Sequence, residues 1–324
     1  MRLSITLLAA AIQPALSWGN VGHRTVGYLA EKYLTDEAAA VFGELLANDR
    51  NYDFSDAATW ADTLRGHMGW ASKYHYISTP AHGPSDSYGA TDSPSPDPPD
   101  DPPRLCGMKY PQDCPSSGCV ISAIQNYTSQ ILDTSLPHIN RKNATMFVIH
   151  FLGDIHQPLH ATGILRGGND IRPVCWRRQP RNGVCTGPMS LHSVWDTQIP
   201  HRIRGLPPHL SPSDEKVAAA AWAADLHLRQ ERAGVNATTG QCVDLETGTC
   251  ALGWASESNA FVCSHVLKPG LAFLKGNDLS EGYFEENWEV VEEVIGRAGV
   301  RLGAWLNAIA ERLAGEKRPM SEDL

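Results

Sequence analysis

Apolar residues recur every three or four positions along most of the chain, which is the spacing of a helix with one buried face. In residues 23–34, for example, Val26, Leu29, Ala30 and Tyr33 fall on the same side of a helix. Six further segments repeat this pattern: residues 36–47, 117–132, 143–155, 213–231, 255–267 and 287–313. The chain is therefore predicted to be mainly α-helical.

Alternating patterns typical of strands are rare, and residues 74–78 and 171–176 are the best candidates. Residues 79–104 are rich in Pro, Ser, Asp and Gly, which predicts a long exposed loop. The polar tail at residues 315–324 is expected to be frayed. With 324 residues, 42% of them apolar, the chain can bury a sizeable core in one large domain or two. We expect a single helical domain over residues 18–314 that contains the loop.

The N-terminus has the form of a secretory signal peptide over residues 1–17. Arg2 supplies its positive end, an apolar run follows, and Ala15 and Ser17 are small residues where a cleavage site requires them. The apolar run is too short to span a membrane, and no later segment reaches that length. Cleavage after Ser17 would make Trp18 the first residue of a soluble, secreted protein.

Eight cysteines fit an oxidising compartment. Three pairs are close in sequence, and if each closes a local loop, two cysteines remain for a long-range bridge. The suggested disulfides are then Cys114–Cys119, Cys175–Cys185, Cys242–Cys250 and Cys106–Cys263. Spacing alone does not fix this arrangement, because eight cysteines allow about a hundred pairings.

Three Asn-x-Thr tripeptides, at Asn126, Asn143 and Asn236, also suit a glycosylated secreted protein. Such tripeptides occur by chance as well, so occupancy stays open.

Two His-x-x-x-Asp pairs are the most informative feature of the sequence. His150 and Asp154 are four residues apart in a helical pattern, so they project from one face, and His160 follows shortly after. His192 and Asp196 repeat the spacing. Helical bundles build metal sites from such side chains on facing helices. Nitrogen and oxygen donors without thiolate favour zinc over iron or manganese.

A single His/Asp pair at this spacing is more often a surface hydrogen bond than a metal site. Two pairs together with His160, all among apolar neighbours, make a metal site the stronger interpretation.

Six motifs together resemble those of the fungal and plant zinc-dependent single-strand-specific nucleases, also called 3′-nucleotidases. This family shares its fold with bacterial zinc-dependent phospholipase C. The motifs are Trp18-Gly-Asn-Val-Gly-His23, Thr59-Trp-Ala-Asp62, Tyr74-His75-Tyr76, the block from His150 to His160, Arg166-Gly-Gly-Asn169-Asp, and the block from His192 to Asp196. Any one alone is weak, but together they cover nearly the whole chain after residue 17. The resemblance implies a disulfide-stapled helical endonuclease that hydrolyses single-stranded DNA and RNA to 5′-phosphorylated products and has 3′-nucleotidase activity.

The resemblance also implies three zinc ions and their ligands. The first ion would be held by Asp62, His75, His150 and Asp154, the second by His160, His192 and Asp196, and the third by His23, Asp154 and the α-amino nitrogen and carbonyl oxygen of Trp18. An α-nitrogen inside a peptide bond is an amide and could not ligate zinc in this way, so removal of the leader would complete the third site. Without the resemblance, Trp18 would be interpreted as an apolar anchor.

Three residues are candidates for catalysis itself. Asp62 would orient a zinc-activated water for in-line attack on phosphorus. Arg65, one helical turn later, could brace the charged transition state, or it could equally be a solvated helix residue. Asn169 could hydrogen-bond the phosphate, although Asn in a Gly-Gly-Asn turn often caps the backbone.

Two further residues are candidates for base recognition. Tyr76 could stack on an unpaired base, although a core aromatic at that position would need no function. Ser78 stands where the family carries Asp, three residues after His75. Because serine brings no charge, base preference should be weaker than in the family or different from it.

The formal net charge of −9 argues mildly against a nucleic-acid partner, since such proteins usually carry a basic patch. Three zinc ions would nevertheless keep a cleft with three ligand carboxylates locally cationic. The expected partners are single-stranded DNA or RNA and 3′-nucleotides, bound by a monomer with no membrane involved. The alternatives are a zinc phospholipase C, which would place Glu where this chain has Asp196, and a secreted metal-binding protein without catalysis.

Overall fold

Helices dominate this computed structural model, which describes residues 18–47, 53–64, 68–79, 106–177, 184–185, 188–235 and 241–317. Within these ranges the α-helices are α1 (Asn20–Glu31), α2 (Asp36–Leu46), α3 (Phe54–Thr63), α4 (Val120–Leu132), α5 (His138–Asp154), α6 (Leu191–Ser193), α7 (Ile199–Ile203), α8 (Pro212–Arg232), α9 (Thr249–Phe261), α10 (Leu271–Gly276) and α11 (Gly282–Lys317). Short 3-10 turns occupy Gly69–His75 and Pro158–Ala161, and π-helical turns occupy Val194–Gln198 and Val262–Val266. The mainly α fold class is confirmed.

Both strand predictions are wrong. Residues 74–78 finish the 3-10 turn and continue as extended chain, while 171–176 make isolated bridges such as that of Val174 with Met189. The described residues contain no extended strand pairing. Apolar side chains in these segments are buried against helices, and burial produces the same short apolar runs as a sheet would.

Two helical regions of the structure differ from the prediction. The apolar periodicity does not reveal α3, whose buried face is mostly small: Ala57, Ala58 and Ala61 let the helix approach its neighbours closely. The side chain of Asp53 caps α3 by accepting a hydrogen bond from the backbone N–H of Asp56 at 2.8 Å. A long helix was also predicted at residues 255–267, but it changes to a π-helical turn after Phe261.

Two helices form the centre of the molecule. The first, α1, packs against α3, α8 and α11, and the second, α5, packs against α3 and α4. From Ala144 to Asp154 every residue of α5 is buried, so this stretch has no solvent-facing side. Its polar side chains, His150 and Asp154, must therefore find partners inside the protein.

Four disulfides join the same pairs that the sequence spacing suggests. Three of them close local loops with sequence separations of 5, 10 and 8 residues. Cys106–Cys263 spans 157 residues and ties the start of the described segment before α4 to the π-helical turn after α9. In the chain-entropy account, this long loop restricts the unfolded chain most.

Candidate metal centre

Asp154, the last residue of α5, is fully buried and faces four imidazole rings. Its Oδ2 lies 3.0 Å from His75 Nδ1 and 3.1 Å from His150 Nε2. Its Oδ1 lies 3.4 Å from both His23 Nε2 and His160 Nδ1. Among the described residues, neither oxygen has a hydrogen-bond donor in good geometry. This carboxylate is therefore at the point where the predicted metal ligands converge.

Asp62 completes the first cluster from α3. Its Oδ1 lies 3.7 Å from His75 Nδ1 and 3.7 Å from His150 Nε2, and those two nitrogens are 3.0 Å apart. His75 comes from the end of a 3-10 turn, so three separate elements supply this cluster.

A second cluster joins the end of the predicted histidine block to the π-helical turn. His160 Nε2 lies 3.3 Å from His192 Nε2, which in turn lies 3.2 Å from Asp196 Oδ2. All three side chains are buried. The third group of possible ligands is His23, His150 and Asp154, whose donor atoms lie within 4.8 Å of one another.

Backbone carbonyls fix three of the histidine rings. Each ring places Nδ1 at hydrogen-bond distance from a carbonyl oxygen: His150 from Ala58 at 2.6 Å, His160 from His75 at 2.7 Å and His192 from Gly167 at 2.5 Å. An Nδ1–H that donates to a carbonyl leaves the Nε2 lone pair available, which is the usual support of a metal-bound histidine.

The donor spacing fits zinc. Four ligands about 2.1 Å from a tetrahedral ion are about 3.4 Å from one another. The imidazole and carboxylate atoms in these clusters are 3.0–3.7 Å apart. The buried carboxylate of Asp154, with no hydrogen-bond donor among the described residues, and imidazoles held by carbonyls are the chemistry that such an ion requires.

The electrostatics of the clusters favour metal binding. Burial raises the pKa of Asp154, but the facing imidazoles of His150 and His75 outweigh it and hold the pKa well below its usual value. Burial also lowers the pKa of His150, but Asp154 and Asp62 reverse this and raise it to about 9. At neutral pH His150 would thus hold a proton when no metal is bound. Metal binding would displace that proton.

Two glycines allow the clusters to close. A Cβ on Gly153 would lie 2.8 Å from His23 Nδ1, so a side chain there would prevent the stacking of His23 on His150 at 4.1 Å. Gly167 has a φ of 59°, and a Cβ there would lie 2.5 Å from the carbonyl oxygen of Leu159.

Trp18 lies beside the centre and is completely buried. Its indole Nε1 donates to the carbonyl oxygen of Gly153 at 3.0 Å, and the next residue, Gly19, donates its backbone N–H to the backbone carbonyl oxygen of Asp196 at 2.8 Å. These bonds place the start of the described chain against both the end of α5 and the π-helical turn. Whether the α-nitrogen and carbonyl oxygen of Trp18 ligate a metal stays a prediction.

The predicted catalytic and base-binding residues have different surroundings. Asn169 donates from Nδ2 to the carbonyl oxygen of Arg166 at 2.8 Å, which is the capping interaction weighed above, and its phosphate contact stays a prediction. Tyr76 is 38% exposed and Ser78 is exposed, so both are accessible to a ligand. Arg65 lies outside the described residues.

The glycosylation candidates also differ. Asn126 is exposed on α4, whereas Asn143 is half-buried on α5. Asn236 lies outside the described residues.

Sequence reasoning missed Gln157. Its Nε2 donates to Asp196 Oδ1 at 2.6 Å, and its Oε1 accepts a hydrogen bond from the backbone N–H of Leu159 at 2.5 Å. A glutamine between two ligand histidines in the same block was the available signal, but the sequence gives no hint that its partner is 39 residues away.

The fold and the clusters define a class of protein: a disulfide-stapled helical domain with a buried histidine and aspartate centre suited to divalent metals. The S1/P1 nuclease family model matches residues 18–311, and the chain belongs to this family. Nuclease S1 of Aspergillus oryzae is 35% identical over 318 residues, covering 96% of this chain and 97% of its own. Nuclease P1 of Penicillium citrinum is 34% identical over 301 residues, covering 90% and 97%. Endonuclease 4 of Arabidopsis thaliana is 30% identical over 327 residues, covering 94% and 93%. The resemblance inferred from the motifs is confirmed, and the chain is a hydrolytic nuclease.

Proposed function

We propose that this protein is a secreted, zinc-dependent endonuclease that hydrolyses single-stranded DNA and RNA to 5′-phosphorylated products and also removes phosphate from 3′-nucleotides. The convergence of four imidazole nitrogens on the buried carboxylate of Asp154, at 3.0–3.4 Å, carries this proposal. Two independent His-x-x-x-Asp pairs reach the same region from different helices.

The residues would hold three zinc ions, with the ligand sets implied by the resemblance. Zinc bound there would act as a Lewis acid towards the phosphate and would supply a nucleophile from water near neutral pH. Asp154, which faces both the His75/His150 pair and His23, would be shared between two ions.

The chain's own side chains would orient the reaction. Asp62 is 7% exposed, so one edge of its carboxylate is within reach of solvent while Oδ1 faces the histidines. It would accept a hydrogen bond from the attacking water and fix its direction. Asn169 and Arg65 remain candidates for contacts to the phosphate.

Single-strand preference follows from the exposed aromatic ring beside the centre. Tyr76 directly follows His75, and its backbone is fixed because its carbonyl oxygen accepts the N–H of Val120 at 3.1 Å. A base can stack on such a ring only after it has left a duplex. Ser78, in place of the family aspartate, would leave base recognition uncharged.

Secretion is supported by the four disulfides and by the leader pattern, after which the family match begins at Trp18. No helix in the described part of the chain is both long and apolar enough to cross a bilayer. The alternatives weighed from the sequence, a phospholipase and a non-catalytic metal protein, become outcomes of the test.

The test uses the purified mature protein with its metal content measured. We expect it to linearise circular single-stranded DNA, to spare the same circle in duplex form and to leave phosphatidylcholine intact. Asp62→Asn should lower the cleavage rate at least about a hundredfold. Asp36→Asn, which removes the same charge at an exposed position on α2, should not change it. Full activity in Asp62→Asn, or activity that survives complete removal of metal, would overturn the proposal.

A further inference from the structure

A cleft lies between α7, α8 and α11 and has a volume of about 760 Å³. None of the predicted metal ligands lines it. Four arginines and two aromatic residues do: Arg202, Arg204, Arg229, Arg232, Phe284 and Trp288. We call it the arginine cleft.

Only half of these arginines are neutralised by carboxylates. Arg229 forms a two-point contact with Glu292, at 2.7 and 2.9 Å, and Arg204 pairs with Asp225 at 2.8 Å. Within the described ranges, Arg202 and Arg232 form no ion pair. Because Glu285 lines the cleft as well as Asp225 and Glu292, the four arginines leave it a net charge of +1 on a chain whose formal net charge is −9.

Arg202 is held in a fixed orientation by aromatic rings. Its guanidinium carbon lies 4.8 Å from the ring centre of Phe284 and 5.8 Å from that of Trp176. Its Nη1 is buried and has no acceptor among the described residues. A guanidinium stacked in this way keeps its N–H groups in the ring plane, where a phosphate can accept two of them at once.

The cleft also offers a surface for a base. Trp288 is half-buried and lies four residues after Phe284 on α11, so both rings are on the same face of that helix. Guanidinium groups that meet phosphates, together with aromatic rings that stack on bases, form the usual combination for single-stranded nucleic acid.

We propose that the arginine cleft is a second binding site for the sugar–phosphate backbone of a single strand that is cut at the metal centre. Arg202 follows Asp196 by six residues, or about 9 Å along a helix axis, so one continuous helical segment links the two sites. Long strands would be held at both sites, and substrates of one or two nucleotides only at the metal centre. This inference rests on the proposed function.

The test compares Arg202→Gln/Arg232→Gln with Lys268→Gln/Lys275→Gln, which removes the same charge from exposed positions outside the cleft. Binding of a fluorescent single-stranded 20-mer with cleavage-resistant phosphorothioate linkages is measured on the metal-loaded protein. The cleft variant should bind the 20-mer about tenfold more weakly than the wild type. The slope of log binding constant against log salt concentration should become shallower by about 1.4, because two phosphate contacts are lost. The control should change neither quantity.

Cleavage provides the second measurement. The cleft variant should raise KM for the 20-mer with kcat unchanged and should cut a dinucleotide as the wild type does. Arg232→Gln alone, at an exposed position on α8, should show part of the effect even if replacement of the packed Arg202 disturbs folding. Arg202→Lys keeps the charge but loses the planar guanidinium. Its KM for the 20-mer should lie between those of the wild type and of Arg202→Gln.

Unchanged 20-mer binding, or a loss equal to that of the control, would overturn the inference. So would an equal loss of activity on the dinucleotide and the 20-mer. If the wild type cuts no single strand, the proposed function fails, and the binding measurement still decides whether the arginine cleft holds one.

Discussion

Gln157 is completely buried, and both ends of its amide are in use. We predict that Gln157→Leu, a change of similar volume, weakens both the metal-free fold and the second metal cluster. The substitution removes the donor to Asp196 Oδ1 at 2.6 Å and the acceptor for the N–H of Leu159 at 2.5 Å. The carboxylate of Asp196, which faces His192, and the backbone N–H of Leu159 then each lose this partner.

The expected cost follows from those two groups. Each unsatisfied buried polar group costs about 1–3 kcal/mol. Burial of the leucine side chain returns about 1.5–3 kcal/mol, so the free energy of unfolding should fall by about 2 kcal/mol. Loss of a side chain that orients a ligand lowers metal affinity about 10- to 100-fold, so the second cluster should also release its metal more easily.

Two assays separate these effects. Urea unfolding of EDTA-treated protein gives the change in stability without metal, and competition with a chromophoric zinc chelator gives the change in affinity. The matched control is Gln125→Leu, because that side chain is only partly buried and donates to Glu246 at 3.3 Å. The reasoning is refuted if Gln157→Leu unfolds at the wild-type urea concentration, or if it holds zinc as tightly as the control does.

Three further predictions concern the rest of the centre and its support. Gly153→Ala should displace His23, because His23 Nδ1 would lie 2.8 Å from the new Cβ. The zinc content of this variant, measured by atomic absorption, should therefore be lower than that of the wild type. The control is Gly253→Ala, whose Cβ would meet nothing within 4 Å and which should leave zinc content unchanged. Asp53→Ala should cost about 1 kcal/mol of stability at pH 7, because the residue caps α3. Burial raises the pKa of Asp53, but its hydrogen bonds and its ion pair outweigh burial and lower the pKa below the usual value. The stability that Asp53 contributes is therefore fully present above the pKa of the unfolded state and is lost as pH falls through the pKa of the folded state. The difference between wild type and Asp53→Ala in urea midpoint should therefore shrink between pH 5 and about pH 3, and a constant difference would contradict the assignment. Finally, one alanine inserted before Trp18 in the secreted protein should leave one metal fewer per chain, whereas equal metal content would exclude the α-nitrogen as a ligand.

An acidic surface is compatible with a centre that bound metal ions would make positive, because the two act at different distances. The formal net charge of −9 is spread over the chain, whereas the centre concentrates several metal-binding groups within a few ångströms. Surface charges are screened beyond about 8 Å at physiological salt, so the local sign near a phosphate is set by the groups next to it.

The sequence by itself determined the helical class and the side chains with metal-binding chemistry. It could do so because these features depend on local geometry: a residue and the one four positions later share a helix face whatever the rest of the chain does. His150 with Asp154 and His192 with Asp196 are cases of this kind, and each pair lies at 3.1–3.2 Å in the structure.

Tertiary structure alone decided how those pairs become one centre. His150 is oriented by the carbonyl of Ala58, 92 residues away, on a helix that the apolar pattern did not reveal. Asp196 is held by Gln157, and His23 reaches Asp154 only because Gly153 leaves room. Contacts of this kind depend on which buried faces pack together and how closely, and the periodicity of a single segment carries no information about its neighbour.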